Sequence, residues 1–199
     1  MTTQHARATQ FAQLHIPGDP LILFNIWDGG SAHAVATSGA KAIATGSWSI
    51  AAAQGYTDGE TMPFEAVITN LKQIIAQVDL PVTLDMEGGY GQSPVQLQVT
   101  VSQVLAAGAI GINFEDQIVG GEGLYTVEAQ AARISAIRQT ADELGIPLFI
   151  NARTDIFLKN QTHTDAHLEE ALLRATAYAA AGASGFFAPG LRNAHQIKT

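Results

Sequence analysis

The sequence of 199 residues predicts an α/β fold in which parallel strands are joined by helices, and three observations support this. Short apolar runs typical of buried strands alternate with longer segments of helical periodicity. One junction recurs, in which a helix ends at Gly39, Gly108 or Gly182, an alanine follows, and a strand begins. The composition, 47% hydrophobic and 14% charged, excludes a disordered chain, and the abundant glycine and alanine suit helices packed closely on a sheet. Parallel strands need helical crossovers, which both an open doubly wound sheet and a (β/α) barrel provide.

Six strands are predicted where an apolar run ends in glycine or polar residues. They cover residues 21–25, 42–45, 82–85, 111–115, 147–151 and 185–188. Helices are predicted from capping residues and apolar periodicity. They cover residues 1–15, from Ser31 to about Gly39, from Pro63 through Val78, from Ser93 to Gly108, from Thr126 to Gly145, 165–181 and 194–199. Residues 46–59 are predicted as a loop of functional length, and residues 154–164 as an irregular link.

Charge and cysteine content exclude several classes of function. The net charge is −8 and Lys and Arg form no cluster, so we expect no binding to nucleic acid or to an anionic membrane. The chain has no cysteine, which excludes disulfides, thiolate metal sites and a catalytic thiol, and suits a cytoplasmic location. No apolar run approaches the roughly 20 residues that span a bilayer, and the N-terminal segment lacks the features of a signal peptide.

Polar side chains that could take part in chemistry follow several predicted strands. Residues two apart on a strand point to the same face. Such pairs occur at Asp85 and Glu87, at Asn113 and Glu115, and at Asn151 and Arg153. Glycines 88, 89 and 91 then permit a sharp turn or the close approach of a ligand. The carboxyl ends of parallel strands carry the site in α/β folds, so we expect the edge of an active site here.

Three carboxylates, those of Asp85, Glu87 and Glu115, come from strands that would be neighbours. Carboxylates that lie close together need a cation, a shared proton or open water. Mg²⁺ and Mn²⁺ take oxygen ligands and keep bound waters, so either ion suits this set. The alternative is that the carboxylates are separate and solvated.

Arg153, which follows an apolar strand, has two interpretations. It could clamp a substrate carboxylate bidentately, or it could be a structural partner of Glu115 or Asp155. Backbone N–H groups of residues 46–48 offer a possible oxyanion cradle. The spacing of His163 and His167 would suit zinc only with a third ligand, and the sequence provides none that is evident.

Five segments carry a resemblance through their order and spacing. They are FNIWDGGSA (24–32), ATGSWSIAAAQGYTDGE (44–60), LDMEGGYG (84–91), GINFED (111–116) and INARTD (150–155). Together they resemble the isocitrate lyase / phosphoenolpyruvate mutase superfamily, from about Leu21 to Gly190. The resemblance implies a (β/α)8 TIM-type barrel that binds small 2-oxo or enol carboxylates through Mg²⁺.

The resemblance also implies how a metal would be bound. Asp85 would be the direct ligand of Mg²⁺ or Mn²⁺, and Glu87 and Glu115 would hold metal-bound waters. The chemistry of the superfamily passes through an enolate of pyruvate or a close relative. The metal and the loop donors would stabilise the negative charge that develops on this enolate.

Further residues are implied to contact the substrate. The carboxylate and oxo group would be bound by Gly46, Ser47 and Trp48, and Asn113 and Asp85 would also line the substrate site. Asp58 would lie near the metal and the reacting centre, and Arg153 would lie on the substrate. Asp58 and Arg153 are therefore the candidate catalytic residues.

The chain departs from the superfamily pattern in two ways. The superfamily's lyases carry a catalytic cysteine in the loop where this chain has GGYGQS (88–93), and its mutases carry a histidine where Pro189 and Gly190 stand. About six strands are predicted where the barrel needs eight, a fold of roughly 250 residues. We expect a single (β/α) barrel domain over residues 1–199, short at its C-terminus. If that terminus is complete, we expect a homo-oligomer, either a dimer or a tetramer.

The expected function is that of a Mg²⁺-dependent enzyme acting on a small 2-oxo acid through an enolate, as a C–C lyase or a decarboxylase. One alternative is a mutase or hydrolase that acts on a C–P bond. Another is a catalytically silent barrel that retains the pocket, and a third is a doubly wound sheet without this chemistry. The loops 88–93 and 117–124 are expected to decide specificity, and both could close over the substrate.

Overall fold

A computed structural model describes residues 3–198, in which six parallel strands form one sheet. The strands are β1 (Asn25–Ile26), β2 (Ile43–Thr45), β3 (Val82–Asp85), β4 (Gly111–Glu115), β5 (Phe149–Arg153) and β6 (Gly185–Phe187). Each strand pairs with the next one in the chain, as in the wall of a (β/α) barrel, whereas a doubly wound sheet reverses its order at a switch point. Within the described residues β1 and β6 do not pair, so the sheet is not closed.

Nine helices lie within residues 3–198. They are α1 (Gln4–Gln13), α2 (Gly29–Thr37), α3 (Ser47–Ala53), α4 (Phe64–Ala76), α5 (Pro94–Ala107), α6 (Val127–Glu143), α7 (Ile156–Lys159), α8 (Asp165–Ala180) and α9 (Ala194–Ile197). The crossover helices α2, α4, α5, α6 and α8 pack side by side in that order. None of the helices found between residues 3 and 198 is long and apolar enough to cross a membrane.

Helix α1 covers the amino ends of the strands. The Gln4 side chain donates to the carbonyls of Leu105 and Ala109, just before β4, at 2.8 Å each. The ring of Phe11 packs edge-on against Phe149, the first residue of β5, with centroids 5.2 Å apart. This leaves the opposite end of the sheet, where the strands finish, free for a site.

The main core lies between the sheet and the crossover helices. Leu84, Ile112, Phe114 and Ile150 are at most 1% exposed and face helices α4 to α6. Since successive residues of a strand alternate between faces, Asp85, Asn113 and Arg153 point to the other face. The helix-facing side chains thus hold the sheet while the alternate ones are available for chemistry.

The predicted bounds of two strands and the predicted capping residues of two helices are confirmed. Strands β3 and β4 have the predicted bounds. Ser93 caps α5 with Pro94 in its first turn, and Gly108 ends it with a φ of 106° that favours glycine. Thr126 caps α6. Residues Met1, Thr2 and Thr199, which fall in the predicted terminal helices, lie outside the described residues.

The predicted first strand, 21–25, is wrong in extent. Pairing with β2 begins only at Asn25, opposite Ala44, and the run before it joins no ladder in the described chain. Ile22 and Phe24 are accordingly 70% and 60% exposed. An apolar run forms a strand only where a neighbour supplies hydrogen bonds, and none reaches this run.

The predicted fifth strand, 147–151, lies two residues too early. The ladder with β4 runs from Phe149, opposite Gly111, to Arg153, opposite Glu115, so the register of β4 sets the bounds of β5. Arg153, which was expected to follow the strand, is therefore its last residue, and Asn151 lies at its centre.

Three predictions about local structure are also wrong. The predicted loop 46–59 contains α3, and the predicted irregular link 154–164 contains α7. Ser31 is not the cap of α2, because Asp28 caps it and Ser31 returns a hydrogen bond from the third helical position in a capping box. The residues of α3 (SWSIAAA) are compatible with a helix, since three of the seven are alanines, the strongest helix former.

Candidate active site

The carboxyl ends of β3, β4 and β5 bring together the polar residues singled out in the sequence. Asp85 pairs with Asn113 in the β3–β4 ladder, and Glu115 pairs with Arg153 in the β4–β5 ladder. The expectation that Asp85 and Glu115 lie on neighbouring strands at one edge of the sheet is therefore confirmed. The Asn151 amide donates to Oδ1 of Asn113 at 2.8 Å, which links β5 to β4 beside the carboxylates.

Asp85 lies against the start of α3. Its Oδ2 accepts a hydrogen bond from the backbone N–H of Ser47 at 3.2 Å, and its own N–H donates to Oγ1 of Thr45 at 2.9 Å. Burial raises the pKa of Asp85, while the Ser47 N–H and the charge of Arg153 oppose the rise. The backbone group that was predicted to form an oxyanion cradle thus already contacts a carboxylate.

The two neighbours of Ser47 differ in their surroundings. Gly46 caps α3, and a Cβ at this position would lie 3.0 Å from Oγ of Ser49 and 3.3 Å from Nδ2 of Asn25, so the position has little room for a side chain. Trp48 is 70% exposed. An exposed indole at the edge of the site is a surface that a ligand or another protein segment could cover.

Glu87 connects two loops. Its Oε2 accepts from the backbone N–H groups of Gly59 and Glu60 at 2.8 Å each, and its Oε1 accepts from the Tyr90 hydroxyl at 3.1 Å. The Glu60 carboxylate in turn accepts from the Tyr90 N–H at 2.8 Å. Glu87, Glu60 and Tyr90 all have positive φ, a strained conformation for residues with a side chain, and such strain often concentrates at functional sites.

Asp58 stands at the end of the segment that Glu87 holds. Its side chain is exposed, and it directly precedes Gly59, whose N–H donates to Glu87. The charge of Asp58 adds to burial in raising the pKa of Glu87. The predicted catalytic residue therefore lies within electrostatic reach of the carboxylates.

Arg153 pairs with both of the acidic residues named as alternative structural partners. Its Nε and Nη2 contact the two carboxylate oxygens of Asp155 at 2.6 and 3.1 Å, and its Nη1 lies 3.3 Å from Oε2 of Glu115. The bidentate pair with Asp155 is the stronger contact, since it has two short parallel hydrogen bonds. The interpretation of Arg153 as a structural partner is confirmed. Each of its two Nη atoms carries a second hydrogen, which remains available to a substrate carboxylate.

Glu115 is 7% exposed, and the pKa of its carboxyl group is strongly raised. Burial raises its pKa to about 8, and the charges of Asp155, Asp85 and Glu87 add to the rise although Arg153 opposes it. The ion pair with Arg153 alone would suggest an ionised carboxylate. Arg153 is engaged mainly by Asp155 and therefore balances Glu115 only in part, so the protonated form of Glu115 is favoured near neutral pH unless further positive charge is supplied.

The donor set fits a hard divalent cation, though not as three direct ligands. In the described part of the chain, no three acidic or histidine side chains converge closely enough to bind one ion together. Asp85, Glu87 and Glu115 nevertheless share raised pKa values, which a cation would lower again. One direct carboxylate and others acting through water is the arrangement that Mg²⁺ commonly adopts.

Sequence reasoning missed the network beneath the site. Asp116, fully buried, accepts from the Asp155 N–H at 3.0 Å through Oδ1, and from Arg174 and the Tyr178 hydroxyl through Oδ2 at 3.1 and 2.9 Å. Arg174 and Tyr178 lie one turn apart on α8. Their only sequence signal is an arginine and a tyrosine at i, i+4 in an alanine-rich helix. Through Asp116 and Asp155, α8 supports the position of Arg153.

Comparisons with known proteins agree with this geometry. The model of the phosphoenolpyruvate phosphomutase family matches residues 11–199. An uncharacterized protein of Mycobacterium tuberculosis H37Rv, Rv1998c, is 36% identical over 179 residues, 90% of this chain and 64% of that protein. The 2-methylisocitrate lyase of Escherichia coli K12 is 28% identical over 190 residues, 87% of this chain and 62% of the lyase. The chain thus spans less than two thirds of the length of these curated relatives.

A solved structure gives the same result for the fold. A proposed phosphonomutase from Burkholderia cenocepacia J2315 is 50% identical, with a TM-score of 0.94 over 96% of this chain and 78% of that one. The six-stranded sheet therefore matches a substantial part of a related fold, and the neighbours are of the TIM-barrel type.

Proposed function

The chain belongs to the phosphoenolpyruvate phosphomutase family, within the isocitrate lyase / phosphoenolpyruvate mutase superfamily of enzymes, and from that premise we propose that it acts on a small 2-oxo acid with the help of Mg²⁺. The reaction would pass through an enolate and would break a C–C bond, either as a lyase or as a decarboxylase. The 2-methylisocitrate lyase among the relatives supports the lyase assignment.

The observation on which the proposal depends is that Asp85, Glu87 and Glu115 lie at or just beyond the carboxyl ends of the adjacent parallel strands β3 and β4. Their raised pKa values indicate that the protein alone does not stabilise all three carboxylates in the ionised form, which a bound cation would do. Asp85 would bind Mg²⁺ (or Mn²⁺) directly, and Glu87 and Glu115 would hold its waters. When bound, the ion would stabilise the negative charge of the enolate oxygen.

The residues around this centre would bind and orient the substrate. Arg153 would bind its carboxylate with the donors that Asp155 and Glu115 leave free, and Asn113 would line the same face of the sheet. The amino end of α3, with Gly46, Ser47 and Trp48, would contact the carboxylate and oxo group. Asp58, exposed beside the carboxylates, would hold or move a proton at the reacting carbon.

A second candidate function is supported by the solved structure with 50% identity, a proposed phosphonomutase. C–P chemistry on the same enolate framework would use the same metal and Arg153. A silent barrel that keeps the pocket is a third candidate, because the chain has no cysteine in the loop 88–93 or elsewhere. Proteins of one fold and family can catalyse different reactions, so the three candidates are distinguished by measuring turnover of their substrates.

Titration calorimetry with Mg²⁺ and oxalate, a mimic of the enolate, tests the proposal. We expect oxalate to bind only when Mg²⁺ is present. A folded sample that binds neither would refute the proposed metal-dependent site. Turnover of a panel of 2-oxo diacids and phosphonopyruvate would then separate C–C from C–P chemistry, and turnover of any of them would exclude the silent barrel.

The predictions of a single domain, of a homo-oligomer (dimer or tetramer) and of a cytoplasmic location stay predictions. Analytical ultracentrifugation of the chain would test the oligomeric state. A monomer at all accessible concentrations would contradict it.

A further inference from the structure

Arg133, on α6, is a buried cation that the proposed chemistry does not use. It is 2% exposed, and no carboxylate between residues 3 and 198 forms an ion pair with it. Its guanidinium lies between the rings of Tyr125 and Phe114, 3.9 and 4.8 Å from their centroids. The charges of Glu60 and Asp116 favour the charged form of Arg133 only from beyond ion-pair distance, so the direct contacts that Arg133 makes must offset much of the cost of burying its charge.

Those contacts go to the loop that follows β3. Nη2 of Arg133 donates to the carbonyls of Gly88 at 2.6 Å and Gly91 at 3.0 Å. The carbonyl between them, that of Gly89, accepts from Oγ1 of Thr100 on α5 at 2.9 Å. Buried side chains of two helices therefore occupy three carbonyls of a four-residue loop, which directly follows Glu87.

The same turn of α6 also holds the end of β4. Nη1 of Arg133 donates to the side-chain oxygen of Gln130 at 2.5 Å, and the Gln130 amide donates to the carbonyl of Glu115 at 3.0 Å. Gln130 is fully buried. Arg133 and Gln130 thus connect the loop that follows Glu87 to the backbone of Glu115. Glu87 and Glu115 are two of the three carboxylate residues of the site.

The loop 88–91 is packed so closely that a side chain added at Gly89 or Gly91 would collide with its neighbours. A Cβ at Gly89 would lie 2.4 Å from Leu97 and 2.8 Å from Phe114, and a Cβ at Gly91 would lie 2.7 Å from Gln96. By contrast, in the segment 117–124 the described hydrogen bonds are between backbone groups, as from Ile118 N–H to the Gly123 carbonyl at 3.1 Å. The two loops expected to close over a substrate are therefore held very differently.

We propose that Arg133 is a positioning residue that fixes the loop 88–91 as an immobile wall of the site and so sets the distance between Glu87 and Glu115. The two Nη groups of the guanidinium are both essential, because Nη2 donates to the two glycine carbonyls while Nη1 donates to Gln130. A lysine would keep the charge but would not supply this geometry. The effect on ligand binding rests on the function proposed above, whereas the effect on the loop does not.

Hydrogen exchange of Arg133→Lys tests the first part. We expect amides of residues 87–91 to exchange at least about tenfold faster than in the unchanged protein, because a charge-assisted hydrogen bond is lost at each carbonyl. Residues 117–124 should exchange at the same rate in both proteins. Unchanged exchange at 87–91 would overturn the proposal.

Arg138→Lys is a matched control on the same helix. Arg138 also donates to backbone carbonyls, those of Gly182 at 3.1 Å and Leu148 at 2.5 Å, but at the amino end of the sheet. We expect it to leave exchange at residues 87–91 unchanged. Equal acceleration there in both variants would show a general loss of stability and would overturn the proposal.

Thr100→Val provides a second variant if Arg133→Lys does not fold. It removes only the bond to the Gly89 carbonyl, and we expect a smaller acceleration confined to residues 87–91. No local acceleration in this variant would count against a loop fixed through its carbonyls.

Calorimetry with Mg²⁺ and oxalate tests the second part. We expect Arg133→Lys to weaken oxalate binding by about tenfold, as for outer partners of a metal site, and Arg138→Lys to leave it unchanged. Faster exchange with unchanged affinity would refute the positioning role. If the unchanged protein does not bind oxalate, the proposed function fails while the exchange result still decides how the loop is held.

Discussion

The central strands and the outer strands of the sheet behave differently although their sequences are similarly apolar. Strands β3 to β5 have four or five residues and neighbours on both sides, and they carry Asp85, Glu115 and Arg153 at their ends. β1 has only two residues, and Ile22 before it is 70% exposed, whereas Ile112 in β4 is fully buried. A strand that is paired on both sides can hold a charged side chain in a fixed place, so the site has formed where the pairing is complete.

The largest expected effect concerns the site at the central strands. We expect Asp85→Ala to weaken Mg²⁺ binding by more than about 100-fold, because Asp85 is the proposed direct ligand. Loss of a residue that only orients a metal ligand typically weakens binding by about 10- to 100-fold. Calorimetry measures this. Asp142→Ala, which removes an exposed partner of Arg138, is the control and should bind normally. Intact affinity in Asp85→Ala would show that the metal assignment is wrong.

The contrast in packing predicts the next largest effect. Ile112→Ala should lower the free energy of unfolding by about 2–5 kcal/mol, because it opens a cavity in the core. Ile22→Ala, the same substitution beside β1, should change it by no more than about 0.5 kcal/mol. Urea denaturation measures both. Similar losses would mean that the run before β1 is covered in solution and that the contrast does not hold.

The raised pKa of Glu115 predicts that stability falls as the pH rises, in the absence of metal. The folded protein favours the protonated carboxyl, so its contribution is complete below the ordinary pKa of 4.5 and is lost as the pH passes about 8. The loss is a few kcal/mol at most, since one pKa unit corresponds to about 1.4 kcal/mol. Urea denaturation with EDTA between pH 5 and 9 measures it. Glu115→Gln should make the fall less steep, because the other carboxyls with raised pKa values, such as Asp85 and Glu87, still contribute, and an equally steep fall in that variant would assign the dependence to those groups.

The smallest expected effect concerns the network that supports the site from α8. Tyr178→Phe removes one donor to Asp116 and should cost about 1–3 kcal/mol of unfolding free energy, because a buried carboxylate oxygen loses a hydrogen bond. Thermal or urea denaturation measures this. Tyr56→Phe, at a tyrosine that is 41% exposed, should be neutral. A neutral Tyr178→Phe would show that Arg174 alone satisfies Oδ2 of Asp116.

The sequence predicted the central region well for a physical reason. β3 and β4 are apolar runs with neighbours on both sides, so local pattern and tertiary pairing agree, and their ends could be placed to the residue. The convergence of Asp85 and Glu115 followed from this, because parallel strands end at one edge. β5 was misplaced by two residues, since its bounds depend on the register of β4.

The parts that the sequence could not predict depend on contacts between distant segments. Glu60 and Tyr90 meet across 30 positions in the chain, and Arg133 reaches Gly88 across 45. The positive φ of Glu60 and Tyr90 is also invisible, since glycine is the residue that usually signals it. Periodicity showed which face of α6 is apolar but not that it carries a buried arginine.

The two hydrogen bonds that Glu87 accepts from backbone N–H groups affect how any replacement of this residue is interpreted. Glu87→Ala would remove an acidic group and would also release Gly59 and Glu60, and with them the neighbouring Asp58. Electrostatic and conformational losses would then be superimposed in one measured rate. Glu87→Gln keeps an oxygen that can accept from those amides while removing the charge, so the pair of variants separates the two contributions.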